Sequence, residues 1–341
     1  MSHRMAISWR KRALTLAAVM VLALVAAWLG GRWYVNERPL PMRGDRAEFR
    51  VAPGSSARAV AQSVRDAGVE ISETAFVALS RVSGVAQSLR AGRYAIDRGT
   101  TLAQLLAKLR AGDVLRERLT IVEGITFREM RALLAATPDL KQDSRDMTPA
   151  QLLQAIGAVE SHPEGLFAPE TYVYEPGSSD LDIWRQAYRA QMSALNEAWA
   201  ARATGLPYRT PYEALIMASI IEKETGQAAE RGLIGGVFVN RLQRGMLLQT
   251  DPAVIYGLGE RFDGNLRKRD LVTDGPYNTY TRAGLPPTPI ALPGRAAIAA
   301  ALKPDPTDAL YFVARGDGTS HFSTSLDAHN RAVDKYQRGG R

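Results

Sequence analysis

Met217-Ala-Ser-Ile-Ile-Glu-Lys-Glu-Thr-Gly226 closes an apolar helix with a carboxylate. The start of that helix is written just upstream. Thr210-Pro-Tyr-Glu213 combines an N-cap threonine, a proline at the first helical position and a glutamate at the third. Counting back from Glu224 by three, four and seven residues gives Ile221, Ile220 and Met217, so the carboxylate shares an apolar face. Burial there disfavours the charged form and raises the pKa, which suits a general acid working near neutral pH. Glu222 sits about 200° around the helix from Glu224, on the face of Leu215, Ala218 and Ser219, so the two acids are not side by side. From spacing alone, a solvated Glu-Lys-Glu run at a helix end is the simpler reading.

Outward from this segment, the 341-residue chain is 46% hydrophobic, enough for at least one substantial core and for two or three domains. It has no cysteine, which excludes disulfides, thiolate metal sites, a cysteine nucleophile and an acylated lipoprotein cysteine. Its four histidines (His3, His162, His321 and His329) argue against a His-rich metal centre. A net charge of +8 suits an acidic partner or a membrane surface. No dense Lys/Arg cluster with interleaved aromatics follows the first dozen residues, which disfavours nucleic acid as a partner.

Arg4, Arg10, Lys11 and Arg12 form a basic flank over residues 1–12, and the uncharged run Ala13–Gly31 follows. At 1.5 Å per residue this run spans roughly 28 Å, enough to cross a hydrocarbon core. Trp28, Trp33 and Tyr34 cluster at its far end, where interfacial aromatics belong. The pattern predicts a transmembrane helix over 13–31 with the basic flank in the cytoplasm and the remainder outside. A signal peptide cleaved near Val25-Ala26-Ala27 is the competing reading, although the apolar run is long for one. Residues 32–46, with two prolines and a glycine, read as a linker.

Three further parts follow. In 47–119, Phe49–Gly54 reads as a strand ending in a turn, and Ser55/Ser56 can cap a helix carrying Ala59, Val60, Ser63, Val64 and Ala67. A second helix is expected near Glu73–Ser83, a strand at Ala91–Ile96, and a third helix over Thr101–Arg110 with Leu102, Leu105, Leu106 and Leu109 as its stripe. This order resembles the LysM peptidoglycan-binding module; a small α+β domain without a ligand is the alternative. Residues 120–205 form an intermediate helical region broken by prolines, in which Glu164-Gly-Leu-Phe-Ala-Pro-Glu-Thr-Tyr172 either lines a cleft or plugs a core. Residues 206–341 hold the Glu224 helix, several loops rich in Tyr, Asn, Thr and Pro, a helix at Ala296–Leu302 and a strand at Leu310–Ala314. Such loops suit a carbohydrate groove, with aromatic faces for sugar rings and polar tips for hydroxyls.

The series Ala218-Ser-Ile-Ile-Glu-Lys-Glu-Thr225, Val239-Asn-Arg-Leu242, Leu248-Gln-Thr-Asp-Pro252, Val254-Ile-Tyr-Gly257, Tyr277-Asn-Thr-Tyr280, Gly284-Leu-Pro-Pro287 and Tyr311-Phe-Val313 resembles the endolytic murein transglycosylase (YceG-like) family. The motifs stand in that family's order. The resemblance implies an α+β protein with a single N-terminal transmembrane helix, a LysM-like domain and a mixed α/β catalytic domain of the lytic-transglycosylase type. It implies anchoring in the inner membrane, peptidoglycan glycan strands as substrate, peptidoglycan synthases as partners and no cofactor. The family's catalytic glutamate falls on Glu224. Candidate substrate-binding positions are Thr225, Gln249, Thr250, Asp251, Tyr256, Tyr277, Asn278 and Tyr280. The chain departs from the family at Thr288, where glycine commonly follows the double proline, and this leaves the shape of that loop open.

The implied chemistry needs one acid/base. Glycosidases commonly use two carboxylates, whereas a lytic transglycosylase uses the C6 hydroxyl of its own substrate as nucleophile. Glu224 would protonate the glycosidic oxygen between MurNAc and GlcNAc, then take the C6 hydroxyl proton, leaving a 1,6-anhydro end and terminating elongation of the nascent strand. Thr225 would orient the acid or a sugar, and Glu222 is the lesser candidate for the acid. Two other readings stay open: a non-catalytic peptidoglycan-binding scaffold, and a water-using cell-wall hydrolase.

Overall fold

The computed structural model describes residues 2–339; Met1 and residues 340–341 lie outside it, and of Arg4, Arg10, Lys11 and Arg12 only the backbone is described. The chain divides into two compact units, Met1–Glu117 and Arg118–Arg341. It is mixed α+β. Among the described residues, named strands occur only as three two-stranded sheets.

The first unit opens with α1 (Ser2–Asn36), one unbroken helix. Its apolar portion, Ala13–Asn36, is 24 residues long, and none of its most apolar stretch is buried. Of the segment read as a linker, Arg32–Asn36 continue α1. The rest is tied down: Leu40 is buried and its N–H donates to Thr100 O at 2.9 Å, while Pro39 bridges Thr101 and Met42 bridges Val69.

Two strands, β1 (Arg46–Val51) and β2 (Gly92–Asp97), then pair antiparallel from Arg46↔Asp97 to Val51↔Gly92. Their Phe49 and Tyr94 rings stack at 5.7 Å. The helices between and after them are capped as their sequences dictate. The Ser56 hydroxyl accepts from Ala59 N at the start of α2 (Ala57–Asp66), and Ser72 caps α3 (Glu73–Val82) in the same way. A short turn, α4 (Val85–Ser88), leads to β2. Thr101 and Gln104 form a reciprocal capping box on α5 (Leu102–Ala111), which stops at Gly112 in the left-handed conformation, φ 64°. Val60, Val64, Phe76, Leu102, Leu105 and Leu109 fill the core beneath the hairpin.

The second unit begins within β3 (Glu117–Thr120), which pairs with β4 (Thr171–Tyr174). Between them lie α6 (Phe127–Ala136) and α7 (Pro149–Ile156), the latter with Pro149 in its first turn. Next come α8 (Asp180–Ala200), α9 (Pro211–Glu224), α10 (Arg231–Gln243), α11 (Asp251–Leu258), α12 (Lys268–Val272) and α13 (Arg295–Leu302). The hairpin β5 (Tyr311–Ala314) and β6 (Ser320–Ser323), paired from Tyr311↔Ser323 to Ala314↔Ser320, and α14 (Leu326–Val333) close the unit.

One core runs through the regions 120–205 and 206–341. Trp184 is fully buried, with its ring 4.7 Å from Phe167 and 5.5 Å from Phe127. Leu166 and Phe167 have no exposed surface, so the loop at Glu164–Tyr172 plugs a core. The apolar stripe expected on α9 is wider than one face. Every residue from Ala214 to Ile221 is buried, because α8, α10, α11 and α13 all pack against this helix. A helix enclosed in this way loses the amphipathic signature of a surface helix. Gly235 allows one of these approaches, since a Cβ there would lie 2.6 Å from Ala300 O.

Candidate active site

Helix α9 starts as its sequence predicts. The Thr210 hydroxyl accepts from Glu213 N at 3.2 Å, and the Glu213 carboxylate reaches back to Arg209 N at 2.6 Å. The helix ends at Glu224, with Thr225 extended after it, φ −145° and ψ 136°. Glu224 therefore stands where an enclosed helix leaves the core. Its Oε1 accepts from the Thr250 hydroxyl at 2.5 Å, and among the described residues no protein group bonds its Oε2. Burial pushes the carboxyl up to about 7, and Asp251 adds to the rise, while the Thr250 bond and the Arg241 charge oppose it. Half of the group at such a pKa is protonated near neutral pH.

Thr250 is held from several sides. Its N–H donates to the Thr279 hydroxyl at 2.9 Å, that hydroxyl donates to Thr250 O at 3.2 Å, and Gln249 N donates to Thr279 O at 3.1 Å. Gln249 has φ 51°, a left-handed conformation that costs a non-glycine residue roughly 1–2 kcal/mol unless its surroundings enforce it. Arg241, buried in α10, supplies the enforcement. Its Nη1 donates to Leu248 O at 2.9 Å, Leu247 O at 3.2 Å and the Gln249 Oε1 at 3.4 Å, and its Nε donates to Leu310 O at 2.6 Å. The Tyr311 ring lies under the guanidinium at 5.0 Å.

The sequence-derived positions fall into separate groups. Thr250 touches Glu224, and Asp251 adjoins it, receiving the Tyr280 hydroxyl at 2.5 Å. Burial and Asp251 push that phenol up. Thr225 does not reach the acid; its hydroxyl accepts from Gln227 N at 2.9 Å and shapes the turn after α9. The Asn278 amide donates to Asp270 O, Leu271 O and Thr273 O and its oxygen accepts from Tyr280 N, which saturates the side chain within its own loop. Tyr256 and Tyr277 meet edge-on at 4.9 Å and bond away from Glu224, to Glu164 at 3.0 Å and to Thr288 at 2.8 Å. Thr288 thus shapes its loop through a hydroxyl that glycine lacks.

Glu222 occupies different surroundings. It accepts from Gly294 N at 2.9 Å and lies 3.5 Å from Arg231, with its side chain 5% exposed, so it pins the turn that starts α13. A Cβ at 294 would fall 1.8 Å from the Glu123 carboxylate, so a larger residue there requires the Glu123 side chain to move. Burial raises the Glu222 carboxyl as well.

Arg241, Thr279 and Glu164 are the residues that sequence reading passed over. An arginine inside Gly-Gly-Val-Phe-Val-Asn-Arg-Leu242 was a usable signal, because a charge on an apolar helix needs buried acceptors. Thr279 had none beyond its place between Asn278 and Tyr280.

A profile of the YceG-like family matches residues 49–335. An endolytic murein transglycosylase of Bacillus subtilis (strain 168) is 33% identical over 305 residues, 84% of each chain. Another, from Streptococcus pneumoniae serotype 2, is 25% identical over 368 positions, covering 95% of this chain and 65% of its own. The solved structure of a yceG-like protein from Listeria monocytogenes superposes with a TM-score of 0.53 at 29% identity, covering 84% of this chain and 98% of that one. A family match over residues 49–335 and a relative 33% identical over 84% of each chain make this chain a member of the YceG-like family.

Proposed function

We propose that this chain is an endolytic murein transglycosylase, a lyase that cuts peptidoglycan glycan strands, with Glu224 as its acid and base. The observation that carries the reading is the Glu224 carboxyl, raised to about 7, with Oε1 held by Thr250 and Oε2 open. Protonated Glu224 gives its proton to the oxygen joining MurNAc C1 to GlcNAc, and that C1–O bond breaks. The MurNAc C6 hydroxyl then attacks C1 as the Glu224 carboxylate takes its proton. The product is a 1,6-anhydro-MurNAc end and a protonated Glu224, ready for the next cut. No water is consumed, so one carboxyl serves both transfers. Asp251 and Tyr280 lie near the acid and, with Gln249 beside Thr250, are the first candidates for sugar contacts.

Residues 47–119 hold glycan in this reading, and 206–341 carry the chemistry. Cutting nascent strands would end their elongation, beside the synthases that extend them. Mass spectrometry of sacculi digested by the full-length protein in detergent tests the reaction. Anhydro ends are expected. Reducing MurNAc ends would identify a hydrolase, and binding without products a scaffold.

The same proposal places α1 in the inner membrane, with its basic start in the cytoplasm and Trp28 and Trp33, both exposed, at the outer interface. Protease added to spheroplasts should therefore degrade the chain beyond residue 33. Protection of that region while the membrane is intact would reverse the orientation.

A further inference from the structure

We infer that Glu164 is a positioning residue: by holding Tyr256 it fixes α11, and through α11 the Thr250 hydroxyl against Glu224. The inference rests on the role proposed for Glu224. Glu164 is a carboxylate with 3% of its surface exposed, far from the end of α9 in sequence. Its Oε1 accepts from Phe127 N at the start of α6 at 2.9 Å, and its Oε2 accepts from the Tyr256 hydroxyl at 3.0 Å. It thus joins α6 to α11.

Tyr256 lies on the last turns of α11, whose N-cap is Thr250. They stand six positions apart, about 9 Å at 1.5 Å per residue. A short helix moves as a rigid body, so a shift at Tyr256 is passed to the Thr250 hydroxyl. That hydroxyl bonds Glu224 at 2.5 Å, a distance with little slack.

A second path returns from Tyr256 to α9. The Tyr277 ring abuts Tyr256, and its hydroxyl bonds Thr288 Oγ1 at 2.8 Å. The Thr288 hydroxyl itself donates to Pro289 O, so Tyr277 is the donor between them. One residue on, Ile290 N donates at 3.0 Å to the hydroxyl of Ser219, which lies on α9 five positions before Glu224. Glu164 and the acid are therefore tied by two routes, one ending on the Glu224 carboxyl and one on its helix. Burial pushes the Glu164 carboxyl up to about 7, with nearby Glu129 adding a little, so the fold keeps an acid here against its desolvation cost.

The test measures kcat and KM of the full-length protein in detergent on uncrosslinked glycan strands, counting anhydro ends. Glu164→Leu and Tyr256→Phe should each lower kcat by about 10- to 100-fold with KM nearly unchanged, the size of effect a misplacement of an ångström produces. Glu164→Gln should stay within about threefold of the parent, because its oxygen still accepts from Phe127 N and its amide still meets the Tyr256 hydroxyl. In a Thr250→Val background, Glu164→Leu and Tyr256→Phe should cost little more, since the group they position is already gone. Losses that multiply in the double variants would overturn the inference, as would a rise in KM with kcat intact. Tyr256→Phe alters no packing volume and carries the test should Glu164→Leu fail to fold; parental turnover in it would also overturn the inference. Glu224→Gln is run alongside. Full turnover there defeats the reading of Glu224, whereas multiplying losses beside an inactive Glu224→Gln defeat the role of Glu164 alone.

Discussion

Glu224→Gln should bind glycan and release almost no anhydro ends. Removing a general acid/base typically lowers the rate by about 10²–10⁴, and here one carboxyl makes both transfers, so the upper end is expected. The variant should also fold better than its parent at alkaline pH. The folded pKa of Glu224 is raised, so the fold favours the neutral form. The parent is fully stable below the unfolded carboxyl pKa and loses stability as pH rises from there through about 7. Glutamine never carries that charge, which makes the variant more stable by at most about 3 kcal/mol above neutrality. Thermal unfolding at pH 5 and pH 8.5 checks this. Equal gains at both pH values would show that the gain does not come from the buried charge. Glu222→Gln keeps an acceptor for Gly294 N and should retain much of the activity. If it abolishes turnover while Glu224→Gln spares it, the acid is Glu222.

Arg241→Met should be the most damaging single change to the scaffold of the site. It leaves the carbonyls of Leu247, Leu248 and Leu310 without their donor and removes the clamp on Gln249. Unsatisfied buried acceptors cost about 1–3 kcal/mol each, so a loss of roughly 3 kcal/mol or more is expected. At about 2–4 °C per kcal/mol for a unit of this size, the transition of the second unit should fall by roughly 6–12 °C. A chemical consequence follows from the lost charge. Arg241 holds the Glu224 carboxyl down against burial, so without it the pKa rises further. The alkaline fall of kcat/KM, which reports loss of the protonated acid, should then move to higher pH. A shift to lower pH would mean that Arg241 acts on some other group.

Local chemistry was well inscribed in the sequence. The caps at Ser56 and Thr210, and the helices that follow them, were readable because each cap depends on neighbours within four residues. Glu224 was readable as a buried acid only as one alternative, since three apolar residues precede it at helical spacing while a solvated helix end was the simpler reading. Its partner was not. Thr225 is adjacent in sequence and points into its own turn, while Thr250, 26 residues on, reaches the carboxylate because α10 and the strained Gln249 turn bring it back. The full enclosure of α9 was also hidden, as it belongs to four neighbouring helices and not to α9 itself. The aromatic motif at Glu164–Tyr172 left its use open until packing showed Phe167 in the core.

The ordered exit of α1 has a mechanical meaning. Nine extended residues, 37–45, would give an anchored protein about 30 Å of leash. Here Leu40 is buried, and hydrogen bonds fasten the segment to Thr100 and Gly68. The first unit is joined to α1 as to a post. Were α1 to lie in a bilayer as proposed, that unit would be held at a set height above the lipid surface.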